Sequence, residues 1–150
     1  QLFNELNVPL LVVPGEVEEY GFTRIAYATQ LEFNESEAIR KTFRWADSLG
    51  AAVQLINVQS DREPNIASDD EMLADIQTLV PEHHITLLQR KSDSVEEGIL
   101  DLLKDTEADL LVMSTHHRNL FTRIVNPRKS KKLLLRCPVP VLLFPLKVIE

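Results

Sequence analysis

Residues 109–144 decide the fold of this chain, and they read DLLVMSTHHRNLFTRIVNPRKSKKLLLRCPVPVLLF. In order, the stretch predicts an apolar strand, a polar loop, a basic helix and a second apolar strand. This order is typical of the frame that surrounds the phosphate of a bound nucleotide. Where such a loop needs glycine or a small hydroxyl residue, however, this chain has His117, Pro127 and Arg128. The segment therefore keeps the frame of a nucleotide site and lacks its usual chemistry.

The composition of the chain predicts one globular domain. Its 150 residues are 44% hydrophobic and 26% charged, which is enough to bury a core. No apolar run is long enough to span a bilayer, and the first residues lack the features of an export signal. The single cysteine, Cys137, lies in an apolar run that favours a packed, reduced thiol over a nucleophile. We therefore expect a cytoplasmic protein without a membrane segment.

Charge is distributed unevenly along the sequence. The formal net charge of -7 argues against nucleic-acid binding by the chain as a whole. Between Leu110 and Ile149, however, there is no Asp or Glu, and half of the 16 basic residues lie there. This asymmetry is compatible with an anion site, with a partner surface, or with a solvated helix face that acidic neighbours balance.

Strand and helix patterns alternate along the chain. Short apolar runs predict five strands, at residues 24–29, 52–58, 85–89, 110–113 and 139–144. Three helices between them begin at a capping box, formed by Asn34 with Glu37, Ser68 with Glu71, and Ser94 with Glu97. The first should end at Gly50, and a fourth should begin at Asn126 with Pro127 in its first turn. The expected inward-facing residues of the first two helices are Ile39, Phe43, Ala46, Leu49, Met72, Leu73, Ile76, Leu79 and Val80.

This alternation predicts an α/β domain with a doubly wound, five-stranded parallel sheet of the Rossmann-like type and helices on both faces. Ligands of such sheets bind beyond the carboxyl ends of the strands, where the direction of winding reverses. We therefore look for a site in the loops that follow Thr29 and Met113.

The beginning of the chain repeats a pattern from its end. Residues 7–15, NVPLLVVPG, echo residues 138–146, PVPVLLFPL, in the placing of prolines and aliphatic residues. We interpret residues 1–20 as a leader, made of the last strand of a preceding copy of the domain and a linker, and residues 21–150 as the domain itself. The strand at Val139–Phe144 is the obvious edge for the leader to pair with. An unrelated first strand is the alternative.

Residues 22–146 resemble the universal stress proteins, an α/β family similar to nucleotide-binding proteins. The most specific segments are ADLLVMSTHHR at 108–118 and RCPVPVLLF at 136–144, and VEEGILDLLKDTEAD at 95–109 is similar to the helix that leads into the fourth strand of the domain. The resemblance implies a fold of the adenine nucleotide alpha hydrolase type and a role in stress response. It also implies a homodimer, or a tandem-domain pairing, through the strand Val139–Phe144.

The resemblance also implies an altered nucleotide loop. Members that bind ATP carry a glycine, two residues, a second glycine, nine residues, and then glycine with Ser or Thr; the matching residues here are Ser114, His117, Pro127 and Arg128. Proline offers no amide to a phosphate, and a histidine side chain fills the space that the phosphates need. Gln30 matches an aspartate of those members. We therefore expect no cofactor, with ATP or AMP possible but disfavoured.

The candidate ligand-binding residues lie at the strand ends and along the altered loop. Val58 and Met113 match residues that flank the adenine in the family, and the amides at the start of the basic helix favour an anion. The full candidate set is Gln30, Val58, Met113, Ser114, His117, Arg118, Asn126, Arg128, Lys129 and Ser130.

We find no pattern in the sequence that indicates catalysis or a metal site. No nucleophile motif stands out, and the histidine pairs at 83–84 and 116–117 have no Cys or carboxylate at a ligand-like spacing beside them. The sequence therefore favours a non-catalytic regulatory or interaction module of the universal stress protein type. The alternative is a sensor that binds an anionic metabolite, or a nucleotide in a non-standard pose.

Overall fold

The computed structural model describes residues 9–13, 21–31, 35–60, 69–114 and 137–144. Within these ranges the strands are β1 (Leu10–Val12), β2 (Arg24–Ala28), β3 (Ala52–Gln59), β4 (Leu87–Lys91), β5 (Leu110–Ser114) and β6 (Val141–Phe144). The helices are α1 (Ser36–Leu49), α2 (Asp69–Leu79) and α3 (Val95–Thr106). None of the helices in the described part of the chain is long and apolar enough to cross a membrane.

The strands form one sheet in the order β1-β6-β5-β2-β3-β4. All neighbours from β6 to β4 are parallel, which confirms the predicted class, and β1 adds a sixth strand that runs antiparallel to β6. The strand expected at residues 85–89 forms two residues later. As the last strand of the sheet it leaves Leu88 exposed, because an edge strand has one neighbour and less cover.

Two apolar clusters cover the two faces of the sheet. On one face, α3 packs its buried residues against alternate residues of the strands, among them Ala28, Val58 and Met113. On the other face, α1 and α2 cover the intervening residues, among them Tyr27 and Val112. Alternate residues of a strand point to opposite faces, so near-continuous apolar strands need helices on both sides, as predicted.

Two of the helix ends predicted from the sequence are confirmed, namely the start of α3 and the end of α1. The Ser94 side chain accepts a hydrogen bond from the Glu97 amide, and Gly50 ends α1 with a left-handed φ of 68°. Asn34, Ser68 and the predicted fourth helix lie outside the described residues. At the start of α1 the N-cap residue is Glu35, without a side-chain capping bond, so the capping box predicted for Asn34 and Glu37 was wrong. Glu37 instead forms an ion pair with Arg40.

The expectation that Leu49 and Leu79 face the core was wrong. Both side chains are more than a third exposed, and each is the last residue of its helix, where the cover from neighbouring turns ends. Ile39, Phe43, Ala46, Met72, Ile76 and Val80 are buried as predicted.

Asp109 fastens the amino ends of β2 and β5. Its carboxylate accepts hydrogen bonds from the Thr23 amide (2.8 Å), the Thr23 hydroxyl (2.9 Å) and the Arg24 amide (3.0 Å). These bonds fix the register of the two central strands, and so they also fix which residues meet at the opposite, carboxyl edge.

Candidate functional site

The winding of the sheet reverses between β2 and β5. From β2 the chain moves outward to β3 and β4, and it then returns to β5 on the other side of β2. The two strands pair from Ile25 opposite Leu110 to Tyr27 opposite Val112, which brings the segment 29–31 and Ser114 to one edge. This is the place where α/β sheets of this kind hold their ligands.

A buried carboxylate, Glu35, closes the end of β2. It stands immediately before α1 and its side chain has no exposure to solvent. One oxygen accepts hydrogen bonds from the Thr29 hydroxyl (2.8 Å) and the Gln30 amide (3.1 Å), and the other faces the Tyr27 hydroxyl at 3.5 Å. Glu35 thus accepts from two donors at the carboxyl end of β2.

The turn after β2 contains a residue with left-handed backbone geometry. Leu31 has a left-handed φ of 60°, which costs a side-chain-bearing residue of the order of 1–2 kcal/mol. Its side chain is nevertheless fully buried, and its amide donates to the Thr29 hydroxyl at 2.9 Å. Burial and this hydrogen bond offset the strain of the left-handed conformation.

Asn57 on β3 ties this turn to the neighbouring strands. Its side-chain amide donates to the Thr29 carbonyl at 2.7 Å, and its side-chain oxygen accepts from the Gln89 amide group at 3.3 Å. The Thr29 amide in turn donates to the Ile56 carbonyl at 2.9 Å. The end of β2 is therefore linked to β3 and β4 by polar groups, and Thr29 and Asn57 among them are buried.

Val58 and Met113 are both core residues on the α3 face. Met113 has no exposed surface, and Val58 is only 6% exposed. Gly98 of α3 lies directly over Val58: a Cβ at Gly98 would stand 2.6 and 2.7 Å from the two Val58 methyl groups. The absence of a side chain at Gly98 lets the helix approach this strand end closely, so Val58 is covered by α3.

Ser114 is the residue of the predicted set with the most distinctive surroundings. It is fully buried. Of the buried side-chain polar atoms in the described residues, its hydroxyl oxygen is the one that has no hydrogen-bond partner. In native structures nearly all buried polar groups have a hydrogen-bond partner. The Ser114 hydroxyl, at the edge where the winding of the sheet reverses, is therefore a candidate contact for a ligand, a water or a further chain segment. On the neighbouring strand β6, the residue paired with Ser114 is Phe144.

The structure thus places four of the ten predicted site residues. Gln30, Val58, Met113 and Ser114 lie at one edge of the sheet, although Val58 and Met113 face α3 while Gln30 contributes its backbone amide. His117, Arg118, Asn126, Arg128, Lys129 and Ser130 lie outside the described residues.

Glu35 and Asn57 were not predicted from the sequence. Glu35 resembles the acidic residue that commonly precedes a helix on the surface, and nothing in the sequence reveals its burial. Asn57 gave a usable signal, since it is the one polar residue of the apolar run from 55 to 58. A buried amide in such a run requires partners, and these are found on the two neighbouring strands.

Comparison with known proteins agrees with this architecture. Residues 21–145 match the model of the universal stress protein family. No curated protein sequence matches the chain.

Several solved structures have a similar fold. One is a universal stress protein in complex with cAMP, 12% identical with a TM-score of 0.58; the match covers 83% of this chain and 97% of that one. A second, from Archaeoglobus fulgidus in complex with dAMP, is 12% identical with a TM-score of 0.55, and the match covers 85% and 100%. At these identities the likeness shows the fold alone.

A third similar structure is longer than the chain described here. It is another universal stress protein from Archaeoglobus fulgidus, 14% identical with a TM-score of 0.62. The match covers 96% of this chain and 52% of that protein, so this chain spans about half of its length. The match to the family model extends over most of the sequence and coincides with the sheet and helices described above, so this chain belongs to the universal stress protein family.

Proposed function

We propose that this domain is a regulatory or interaction module of stress response that does not bind ATP in the pose usual for its family and has no catalysis of its own. The observation that carries this proposal is the buried Glu35. Its carboxylate occupies the Gln30 amide and the Thr29 hydroxyl at the carboxyl end of β2. The sequence supports the same conclusion, because Ser114, His117, Pro127 and Arg128 stand where ATP-binding members have the glycines and the small hydroxyl residue of their loop.

Calorimetric titration of the purified domain with ATP and with AMP tests this proposal. We expect no saturable heat from either nucleotide, and no phosphate release above a buffer control. Saturable binding of ATP in the micromolar range would contradict the proposal, and so would ATP hydrolysis that a Ser114 variant abolishes.

A second candidate function is a sensor of an anionic metabolite or of a nucleotide in a shifted pose. The buried hydroxyl of Ser114, which has no partner among the described residues, favours it. The acid-free basic segment from Leu110 to Ile149 supplies the charge for an anion.

In a thermal-shift screen of anionic metabolites, any stabilisation should disappear in the Arg128→Ala/Lys129→Ala variant. It should persist in Lys104→Ala, which removes a basic residue from α3 instead. An equal rise of the melting temperature in the unmodified chain and in both variants would rule out the sensor hypothesis.

We further propose that β6 is a pairing edge between two copies of this fold, and that the leader represents the preceding copy. The pairing of β1 with β6 is centred on Leu11 opposite Leu142. In the two similar segments, 7–15 and 138–146, Leu11 and Leu142 are each the fifth of nine residues. Each strand therefore meets the other about its own midpoint, as two identical strands do across a two-fold axis.

The register of the flanking pairs has the same symmetry. Leu10 pairs with Leu143, the match of Val12 in the other segment, and Val12 pairs with Val141, the match of Leu10. An unrelated first strand would have no reason to adopt this register. The support for a tandem arrangement is thus the sequence similarity together with the position of the pairing.

Variants of β1 test the pairing edge. Leu10 and Val12 pack against the core, whereas Leu11 is 44% exposed on the other face. Leu10→Lys/Val12→Lys should release β1 and leave the β6 edge open to a second copy, so we expect a dimer that forms with rising concentration in sedimentation velocity. Leu11→Lys is the matched control and should behave as the unmodified chain. If the double variant stays folded with its oligomeric state unchanged, the β6 edge is not a pairing surface for a second copy.

A further inference from the structure

Three side chains with metal-ligating atoms meet where the ends of α1 and α2 come together. Asp47 lies in the last turn of α1, and Glu82 and His83 lie in the turn that follows α2. One ligand atom from each residue lies within 4.8 Å of the other two. The His83 Nε2 atom stands 3.0 Å from a carboxylate oxygen of Asp47. One imidazole and two carboxylates thus converge from two different elements.

The imidazole of His83 is held in position by groups outside this cluster. Its ring packs on the Phe43 ring, with centroids 5.0 Å apart and an angle of 50° between the planes. Its backbone amide donates to the Val80 carbonyl at 3.0 Å, and its carbonyl accepts from the Gln77 side-chain amide at 2.6 Å. A ligand that is already oriented loses little conformational freedom when a metal binds.

The electrostatics of this place favour a cation. The carboxyl end of a helix carries a partial negative charge, and neither α1 nor α2 has a basic residue in its last turn. Among the described residues, the one salt-bridge contact of Asp47 is with the His83 ring nitrogen, and Glu82 has none. Two helix ends and two carboxylates therefore bring negative charge together, and within the described residues neither carboxylate forms an ion pair with a Lys or Arg.

We propose that Asp47, Glu82 and His83 form a surface site for a divalent transition-metal ion of the Zn²⁺ class. Carboxylates alone would suit Mg²⁺ or Ca²⁺ as well, whereas an imidazole ligand favours Zn²⁺ and its neighbours. Three protein ligands leave a coordination position for water, and a bound ion would join α1 to the turn after α2. Helices of a parallel sheet run opposite to the strands, so this site lies at the amino edge of the sheet. It is independent of the function proposed for the carboxyl edge.

Zn²⁺ titration of the whole chain, followed by competition with a chromophoric chelator, tests the site. His83→Ala should weaken Zn²⁺ binding by tenfold or more, and His84→Ala should leave it unchanged; ten- to hundredfold is the usual size of an effect from even an outer ligand partner. His84 is the matched control, because it is an exposed histidine next in the sequence. Zn²⁺ should also raise the melting temperature of the unmodified chain and of His84→Ala, but not that of His83→Ala.

Two further measurements keep the test decisive. Asp47→Asn retains the shape of the side chain while it removes a charge, and it too should weaken Zn²⁺ binding. Melting of each variant without metal shows whether it is folded. Equal losses in His83→Ala and His84→Ala would show unspecific binding by surface histidines and would overturn the proposal, as would no Zn²⁺ binding by the unmodified chain. Ca²⁺ binding as tight as that of Zn²⁺ would refute the role of the imidazole.

Discussion

At the scale of single residues, the polar groups at the carboxyl end of β2 form a buried hydrogen-bond network. The buried Glu35 joins the Thr29 hydroxyl, the Gln30 amide and the Tyr27 hydroxyl, and Asn57 holds the Thr29 carbonyl. Removing one partner from such a network leaves the others buried without a hydrogen bond, which costs more than the bond itself contributed.

Replacing Glu35 by alanine should therefore destabilise the domain. We expect the free energy of unfolding to fall by about 1–3 kcal/mol, measured by urea denaturation, because buried donors lose their acceptor. Glu37→Ala, two residues along the chain at an exposed site paired with Arg40, should change it by at most about 1 kcal/mol. Equal effects of the two substitutions would show that Glu35 is not the buried anchor described here.

A second prediction concerns the contact between α3 and β3. Alanine in place of Gly98 favours a helix by up to about 1 kcal/mol, but its Cβ would stand 2.6 Å from a Val58 methyl group. We expect the cost of overpacking to exceed the gain in helix propensity, with a net loss of about 1–3 kcal/mol in the free energy of unfolding. In the Val58→Ala background the same substitution should become stabilising. A Gly98→Ala cost that is the same in both backgrounds would exclude this contact as its cause.

The buried thiol predicts a dependence of stability on pH. Burial raises the pKa of Cys137 in the folded state, although a backbone hydrogen bond with Val139 partly opposes this. Below a pH of about 8.5 the thiol is protonated in both states, and its contribution to stability is complete. Above that pH the unfolded thiol ionises first, so the contribution is lost as the pH rises through the raised folded pKa. The stability of Cys137→Ala, measured from pH 8 to 10, should decline less steeply than that of the unmodified chain; parallel declines would contradict the burial of the thiol.

At the scale of secondary-structure elements, the helices differ in how they end. α1 ends at Gly50 with a φ of 68°, and α3 ends at Glu107 with a φ of 53°. Both residues close the last turn with backbone hydrogen bonds to the carbonyls before them. Only the first of these ends was evident in the sequence, because a glycine marks it.

Substitution at the end of α1 tests the cap. Gly50→Ala forces a side chain into the left-handed region and should cost about 1 kcal/mol in the free energy of unfolding. Gly21→Ala is the control: a Cβ there meets nothing within 4 Å, and its φ is not positive. It should change stability by no more than about 0.5 kcal/mol. If both variants unfold at the same denaturant concentration, the cap of α1 contributes nothing.

At the scale of the whole molecule, the sheet order places β5 and β2 at the centre and β1 and β4 at the edges. The central strands are buried on both faces, whereas β4 exposes three of its five residues. An edge strand can separate from the sheet without disrupting either core cluster, because it has one neighbour and few buried side chains.

Hydrogen exchange should follow this order. We expect the amides of Ile25–Ala28 and Leu111–Met113 to exchange only through global unfolding, and those of β4 to exchange faster through local opening. Mass spectrometry of peptides from the two regions measures the difference. Protection of β4 equal to that of β5 would mean that a further element covers this edge.

Much of the fold was predictable from the sequence because burial leaves a period along each element. The apolar runs gave the parallel strands, Ser94 and Gly50 marked two helix ends, and the resemblance of residues 7–15 to 138–146 indicated that β1 would join the edge formed by β6. The frame of the candidate site, from Gln30 to Ser114, followed from the position where the winding reverses.

The sequence by itself thus determined the class of sheet and the order of its elements, whereas the altered nucleotide loop stays a prediction from the sequence. Only the tertiary structure decided that Glu35 is buried, that Ser114 lacks a partner among the described residues, and that Asp47 stands beside His83, 36 residues away. The physical reason is that a pattern of burial is local to one element, whereas a polar contact depends on which elements meet and in what register.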